Sequence, residues 1–330
     1  MDGRVKPGHD EKGAGNMLAI VNTPIGPEPV AIREVAEPEL RPDEALVAVH
    51  AFSLNRGELR LFQIRPEGWR PGQDIAGVVL RAAANGNGPP AGARVVALCD
   101  QAGWAEHAAV PAHRIAPIGD NVSFGAAAAL PVAGLTALRS LRHGAPLLGK
   151  RVLVTGAAGG VGNLAVQLAA RSGARVTAIV GNAERGRVLD GLGAAETLTR
   201  IEAAEGPFAL ILEAAGGASL KAAIERVGHR GTVVVFGNSS GEPTGINFRD
   251  FAEHQNARIQ AFHYFTSEAE ERFGPDLALL AGLIADGSLR PLIAEHGWRD
   301  IARVGALLRD RQIPGKAVFH IEQKSERRER

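Results

Sequence analysis

The chain carries a single cysteine, Cys99, among 330 residues. That excludes an internal disulfide framework and any zinc site built from several cysteines. Neither sign of charge prevails, since 37 Lys and Arg face 36 Asp and Glu for a net charge of +1. Such a balance argues against a nucleic-acid or membrane-surface partner. No run of about 18 apolar residues occurs, so no membrane span is expected. Residues 1–16 are polar and lack the apolar stretch of a signal peptide. They read as a disordered leader, with Met17 a candidate natural start, and residues 322–330 read as a charged, solvated tail. The composition suits a reducing cytoplasm. Tyrosine is as scarce as cysteine, Tyr264 being the only one.

What remains is ordinary for a soluble globular chain: 45% hydrophobic and 22% charged residues, enough for two domains with substantial cores. Residues 17–119 read as β-rich segments separated by Pro and Gly, such as 18–22, 30–35 and 44–53. They suggest an antiparallel, barrel-like domain. After about residue 120 strands and helices alternate: strand 151–155, helix 162–172, strand 175–180, helix 183–192, strand 210–214, helix 219–227, strand 232–236 and a last strand over 258–265. This α/β alternation predicts a doubly wound parallel sheet. Residues 266–321 hold helices at 275–285 and 300–309 and a closing strand at 316–321, a tail that can pack back on the first domain.

The sharpest motif follows the strand at 151–155. Gly156-Ala157-Ala158-Gly159-Gly160-Val161-Gly162 contains the A-x-G-x-x-G form of the dinucleotide fingerprint and opens a helix. Glycine permits the tight turn and lets the backbone approach a pyrophosphate, while the helix N-terminus offers free N–H groups to the anion. The plain alternative is a tight strand–helix turn without ligand. The next strand ends in Val180-Gly181-Asn182 without the acid that binds the ribose of NAD. Arg185 and Arg187 follow, so NADP(H) is favoured; Glu184 dilutes the positive field, and a solvated helix charge is the alternative for Arg185. Gly237-Asn238-Ser239-Ser240-Gly241 spells the nucleophile-elbow pattern G-x-S-x-G, but Glu242-Pro243-Thr244-Gly245 reads as loop where an elbow needs a helix. The ten histidines show no metal-ligand spacing. Cys99 reads as a buried small hydrophobe.

Seven segments in order then carry a resemblance. They are Ser53-Leu54-Asn55-Arg56-Gly57-Glu58-Leu59, Pro71-Gly72-Gln73-Asp74-Ile75-Ala76-Gly77, Gly92-Ala93-Arg94-Val95, Trp104-Ala105-Glu106, Gly134-Leu135-Thr136-Ala137, the glycine turn, and Gly315-Lys316-Ala317-Val318. With these the chain resembles a medium-chain dehydrogenase/reductase of the zinc-free, zeta-crystallin-like quinone oxidoreductase branch. The resemblance implies a Rossmann domain, residues 120–265, inserted into a GroES-like β-barrel catalytic domain formed by residues 17–119 and 266–321. It also implies an active site in the cleft between them, and homodimers. Gly156, Ala158, Gly159, Gly160, Val161 and Gly162 would hold the pyrophosphate, and Gly181, Asn182 and Arg185 the NADP phosphate. Arg200 falls where relatives often carry a tyrosine near that phosphate. Asn55, Thr136, Phe236, Gly237 and Asn238 match positions near the nicotinamide. Zinc-dependent members carry a Cys within the stretch held here by Asn55 to Glu58, and Gly-His-Glu where this chain has Gly72-Gln73-Asp74, so zinc chemistry is not expected.

A hydride carrier without a metal suits a quinone or an α,β-unsaturated carbonyl, whose negative charge spreads onto oxygen. Asn55 is the candidate catalytic residue, orienting the nicotinamide or the acceptor; a helix-cap or turn role is its alternative. Lys316 is either structural or a cofactor contact. Two other functions stay open at this point: an NADPH-binding protein without significant turnover, crystallin-like or redox-sensing, and a 2-enoyl-thioester reductase.

Overall fold

The structure is a computed structural model that describes residues 15–144, 146–264 and 273–322. The chain begins with a two-stranded hairpin, β1 (Asn16–Asn22) against β2 (Val30–Ala36). Asn16, expected in the leader, instead opens β1, because its main chain pairs with Ala36 while its side chain stays exposed. The strand expected over 258–265 is shorter and ends at Ala261, while residues 1–14, residue 265 and the charged tail beyond residue 322 lie outside the described residues.

β3 (Glu44–Leu54) is the spine of the first domain and is buried along nearly its whole length. A nine-residue helix, α1 (Arg56–Ile64), follows it, then β4 (Asp74–Arg81), β5 (Arg94–Leu98), β6 (His107–Pro111) and β7 (Ile115–Pro117). A strand buried on both sides needs partners on both edges, and β3 pairs antiparallel with β4 and β6. Two helices, α2 (Phe124–Ala128) and α3 (Pro131–Leu141), lead into the second domain.

There β8 (Arg151–Thr155), α4 (Gly160–Arg171), β9 (Arg175–Ile179), α5 (Ala183–Asp190), β10 (Ala194–Leu198), β11 (Phe208–Glu213), α6 (Gly217–Ile224), β12 (Val227–Val235) and β13 (Arg258–Ala261) alternate. The strands lie in the order β10-β9-β8-β11-β12-β13, and each neighbouring pair is parallel. The doubly wound sheet is thus present, and its order reverses between β8 and β11, where such sheets open a crevice at the strands' carboxyl ends.

The chain then returns through α7 (Phe273–Ala285), β14 (Ile293–Gly297), α8 (Ile301–Arg309) and β15 (Lys316–His320). β15 pairs antiparallel with β3, completing a seven-stranded sheet. The seam is aromatic: Phe52 stacks on Phe319 at 5.1 Å and on Trp104 at 5.2 Å between ring centroids. Burying one such ring is worth about 2 kcal/mol, which favours closing the discontinuous domain over leaving the tail solvated. One apolar cluster runs from Ala76, Val96 and Leu98 of the barrel through Leu135 of α3 to Val154 and Leu164 beside the glycine turn.

Candidate active site

The glycine turn is built by close approach. Gly156 has φ +60°, a conformation that side chains resist. A Cβ on Gly162 would stand 2.3 Å from the Gly156 carbonyl oxygen, so only glycine closes the turn. α4 begins at Gly160, two residues earlier than expected, because Gly159 already takes the N-cap position; no side chain caps the helix there. Its first amides are left for an anion, which is what a dinucleotide pyrophosphate supplies. Ala158 and Val161 are half-buried in this turn, and the Ala158 carbonyl accepts from Gly315 N at 3.0 Å.

Gly181 and Asn182 follow β9. Asn182 caps α5, its Oδ1 accepting from Arg185 N at 2.9 Å. Arg185 is half-buried in the first turn, and Arg200 stands exposed just after β10, its Nε 3.5 Å from Glu202. Because β10 lies parallel beside β9, both arginines belong to the same carboxyl edge of the sheet as the glycine turn. Phe236, Gly237 and Asn238 follow β12 on that edge, and Thr136 is buried within α3. Residues 242–247, directly after Gly241, form no helix, so the G-x-S-x-G pattern forms a polar loop, with Ser240 donating to Asn238 Oδ1 at 3.0 Å.

Where β3, β4 and β15 meet the start of α3 lies a polar cluster that the sequence did not assemble. Asp74, fully buried, accepts at Oδ2 from Ser53 Oγ (2.7 Å), Asn55 Nδ2 (2.8 Å) and Lys316 Nζ (2.8 Å), and at Oδ1 from Val132 N (2.8 Å). Lys316 Nζ also donates to Asn55 Oδ1 and to the Leu54 carbonyl. Asn55 gives its second amide hydrogen to Glu58 Oε2 at 3.1 Å, while its backbone N–H donates to the same oxygen at 2.8 Å. The side chain of Asn55 is therefore spent on holding neighbours, and its Glu58 partner closes the N-terminus of α1. Glu58 is buried with Oε1 unpaired among the described residues. Burial, then the nearby Asp74 charge, pushes its carboxyl up to about 8. Gln73 Nε2 donates to the Tyr264 hydroxyl at 2.6 Å, a bond from the barrel to the segment after β13.

Lys316 is the residue that individual motifs could not place. Its signal was present in two segments, Gly72-Gln73-Asp74 and Gly315-Lys316, but they lie 242 positions apart. Its stem runs past the glycine turn, where a Cβ on Gly160 would meet Lys316 Cδ at 3.0 Å. A catalytic zinc does not fit this donor set: Asn55 and Gln73 present amides, and Asp74 is already paired with an ammonium group. Cys99 is buried, and desolvation pushes its thiol well above the usual range. Two shallow surface hollows of about 220 and 340 Å³, around His113 and around Glu28, contain none of these residues.

Known proteins resemble this chain in sequence and fold. Residues 41–120 match the family described as "Alcohol dehydrogenase GroES-like domain" and residues 160–281 the one described as "Zinc-binding dehydrogenase". The human quinone oxidoreductase is 29% identical over 289 residues, covering 82% of this chain and 87% of that one. A quinone oxidoreductase-like protein 2 homolog from Nematostella vectensis is 31% identical over 248 residues, covering 70% and 68%. The solved quinone oxidoreductase from Coxiella burnetii superposes with a TM-score of 0.81 at 24% identity, over 93% of this chain and 100% of that one. The chain is a medium-chain dehydrogenase/reductase. Within that superfamily it belongs to the zinc-free quinone oxidoreductase branch. It is an oxidoreductase of a family that uses nicotinamide cofactors on small-molecule substrates. No helix among the described residues is long and apolar enough to cross a membrane.

Proposed function

We propose that the protein is a zinc-independent, NADPH-dependent reductase of quinones or α,β-unsaturated carbonyl compounds, acting as a cytoplasmic homodimer. The observation that carries the zinc-independent reading is the Lys316–Asp74 pair, 2.8 Å apart and buried, in the cleft beside two amide side chains. NADPH held by Gly156 to Gly162 would supply a hydride. Gly181, Asn182, Arg185 and Arg200 form the edge suited to a 2′-phosphate, and the absence of an acid at the end of β9 removes the partner that a free ribose hydroxyl would want. Thr136, Phe236, Gly237 and Asn238 border the nicotinamide end. Asn55, committed to Lys316, Asp74 and Glu58, keeps that cluster in register rather than contacting the acceptor through a free amide. Burial of the cluster excludes water from the reacting face.

The test is NADPH consumption, followed by near-ultraviolet absorbance, across quinones, enones and enoyl-thioesters with a chelator present. Turnover of quinones or enones is expected, and Arg185→Ala should raise the KM for NADPH about tenfold while leaving that for NADH little changed. Activity abolished by chelation, or a preference for NADH, would overturn the reading.

A further inference from the structure

We infer that Glu213 is a positioning residue that shapes the dinucleotide crevice; the inference rests on the cofactor reading above. Glu213 is the last residue of β11 and fully buried at the point where the strand order reverses. Its carboxylate is surrounded by donors: Thr155 Oγ1 at 3.1 Å, Ala215 N at 3.1 Å, Gly216 N at 2.8 Å and Ser219 Oγ at 2.7 Å. None of these contacts belongs to the Asp74 cluster.

Two helices start at this end of the sheet near the crevice, α4 after β8 and α6 after β11. Each N-terminus is a place where free amides attract an anion. Glu213 fills the amide nest ahead of α6 with the protein's own negative charge, whereas α4 has no side-chain cap. The pyrophosphate is thereby directed to α4 alone. The same carboxylate also sets the walls. Thr155, which donates to Glu213, accepts from Ala214 N at 2.9 Å, so the ends of β8 and β11 are tied immediately before the glycine turn. The loop that Glu213 holds in turn carries the next one: Ser239 N donates to the Ala214 carbonyl at 3.0 Å and Ser240 N to the Ala215 carbonyl at 2.8 Å. A Cβ on Gly216 would meet Asn238 Oδ1 at 2.1 Å, which leaves no slack between the two loops. One carboxylate therefore fixes Ala215, Gly216 and Ser219 directly, and Ser239 and Ser240 through the loop that it holds.

Glu213→Gln keeps the shape but turns an N–H group toward donors. Hydrogen exchange on the cofactor-free protein should show the amides of Ala215, Gly216, Ser239 and Ser240 losing protection about tenfold or more, with those of Val154 and Leu212 unchanged. NADPH affinity, read by fluorescence quenching, should weaken about tenfold, with Glu213→Asp intermediate. If the Gln variant does not fold, Ser219→Ala and Thr155→Val each remove one donor and should loosen the same amides by a smaller factor. Unchanged exchange at those four amides, together with NADPH affinity within about twofold of the parent, would overturn the inference. If the parent protein binds neither NADPH nor NADH while the Gln variant still loosens the four amides, the positioning role stands and the cofactor reading falls.

Discussion

At the scale of residues, the unusual group is Glu58. In the unfolded chain its carboxyl titrates near 4.5, and in the fold near 8. Between those values the unfolded chain has released a proton that the folded chain keeps, so stability falls as pH rises across that window and levels off above it. The groups facing Glu58 are Asn55, Asp74 and Lys316, and only Lys316 favours its ionisation by charge. Glu58→Gln, which cannot ionise, should flatten the dependence; denaturant unfolding from pH 5 to 9 reads the slope. An unaltered slope would show that another group carries it. The Asp74–Lys316 pair makes a second prediction. Lys316→Met leaves a buried carboxylate without its counter-charge, at a cost of about 3–5 kcal/mol, and Asp74→Asn on that background should recover part of it. Equilibrium unfolding of the two variants checks both signs.

At the scale of elements, the glycine turn is held by contact distance. Gly162→Ala must displace either the Gly156 carbonyl or the start of α4, and a few tenths of an ångström at that place alters the anion site. The expected result is NADPH affinity weakened about tenfold or more while far-ultraviolet dichroism is unchanged; titration of the cofactor measures it. This turn was readable because its signals are local: a β-branched strand, glycines at fixed offsets, then a helix. The strands at 151–155 and 175–179 and the helix ending at Arg309 were readable for the same reason. α1 was not, since residues 17–119 are dominated by strand signals and the helix spans only nine residues. Its cue was Asn55 followed three places later by Glu58, a capping pair; a cap or turn role was open for Asn55, but no helix was drawn from it. β10 (Ala194–Leu198) hides for another reason: only half of it is covered, so its pattern is weak. The Asp74 cluster needed four chain segments to meet, and no local pattern encodes that.

At the scale of the whole molecule, the question is whether two domains behave as two. The returning chain is stitched to α4, the helix that starts at the cofactor turn. Gln167 Nε2 donates to the Arg290 carbonyl at 3.0 Å and its Oε1 accepts from Arg290 N at 2.8 Å, while Asn163 Oδ1 accepts from Leu292 N at 3.1 Å. Lys316 N then donates to the Leu292 carbonyl at 2.8 Å, so β15 enters the barrel from a segment already fixed on the other domain. With the apolar cluster crossing the same boundary, local opening of one part exposes core of the other. Trp69, Trp104 and Trp298 all pack in or against the barrel core, so their fluorescence reports that part, whereas far-ultraviolet dichroism reports helices of both. The two signals should therefore trace one denaturant transition. Gln167→Met removes a reciprocal pair from the stitching and should lower stability by about 1–3 kcal/mol, with the tryptophan and dichroism midpoints beginning to separate. Separate midpoints already in the parent protein would mean that the barrel and the dinucleotide domain unfold independently, and that the cleft between them owes its geometry to bound ligand rather than to the seam.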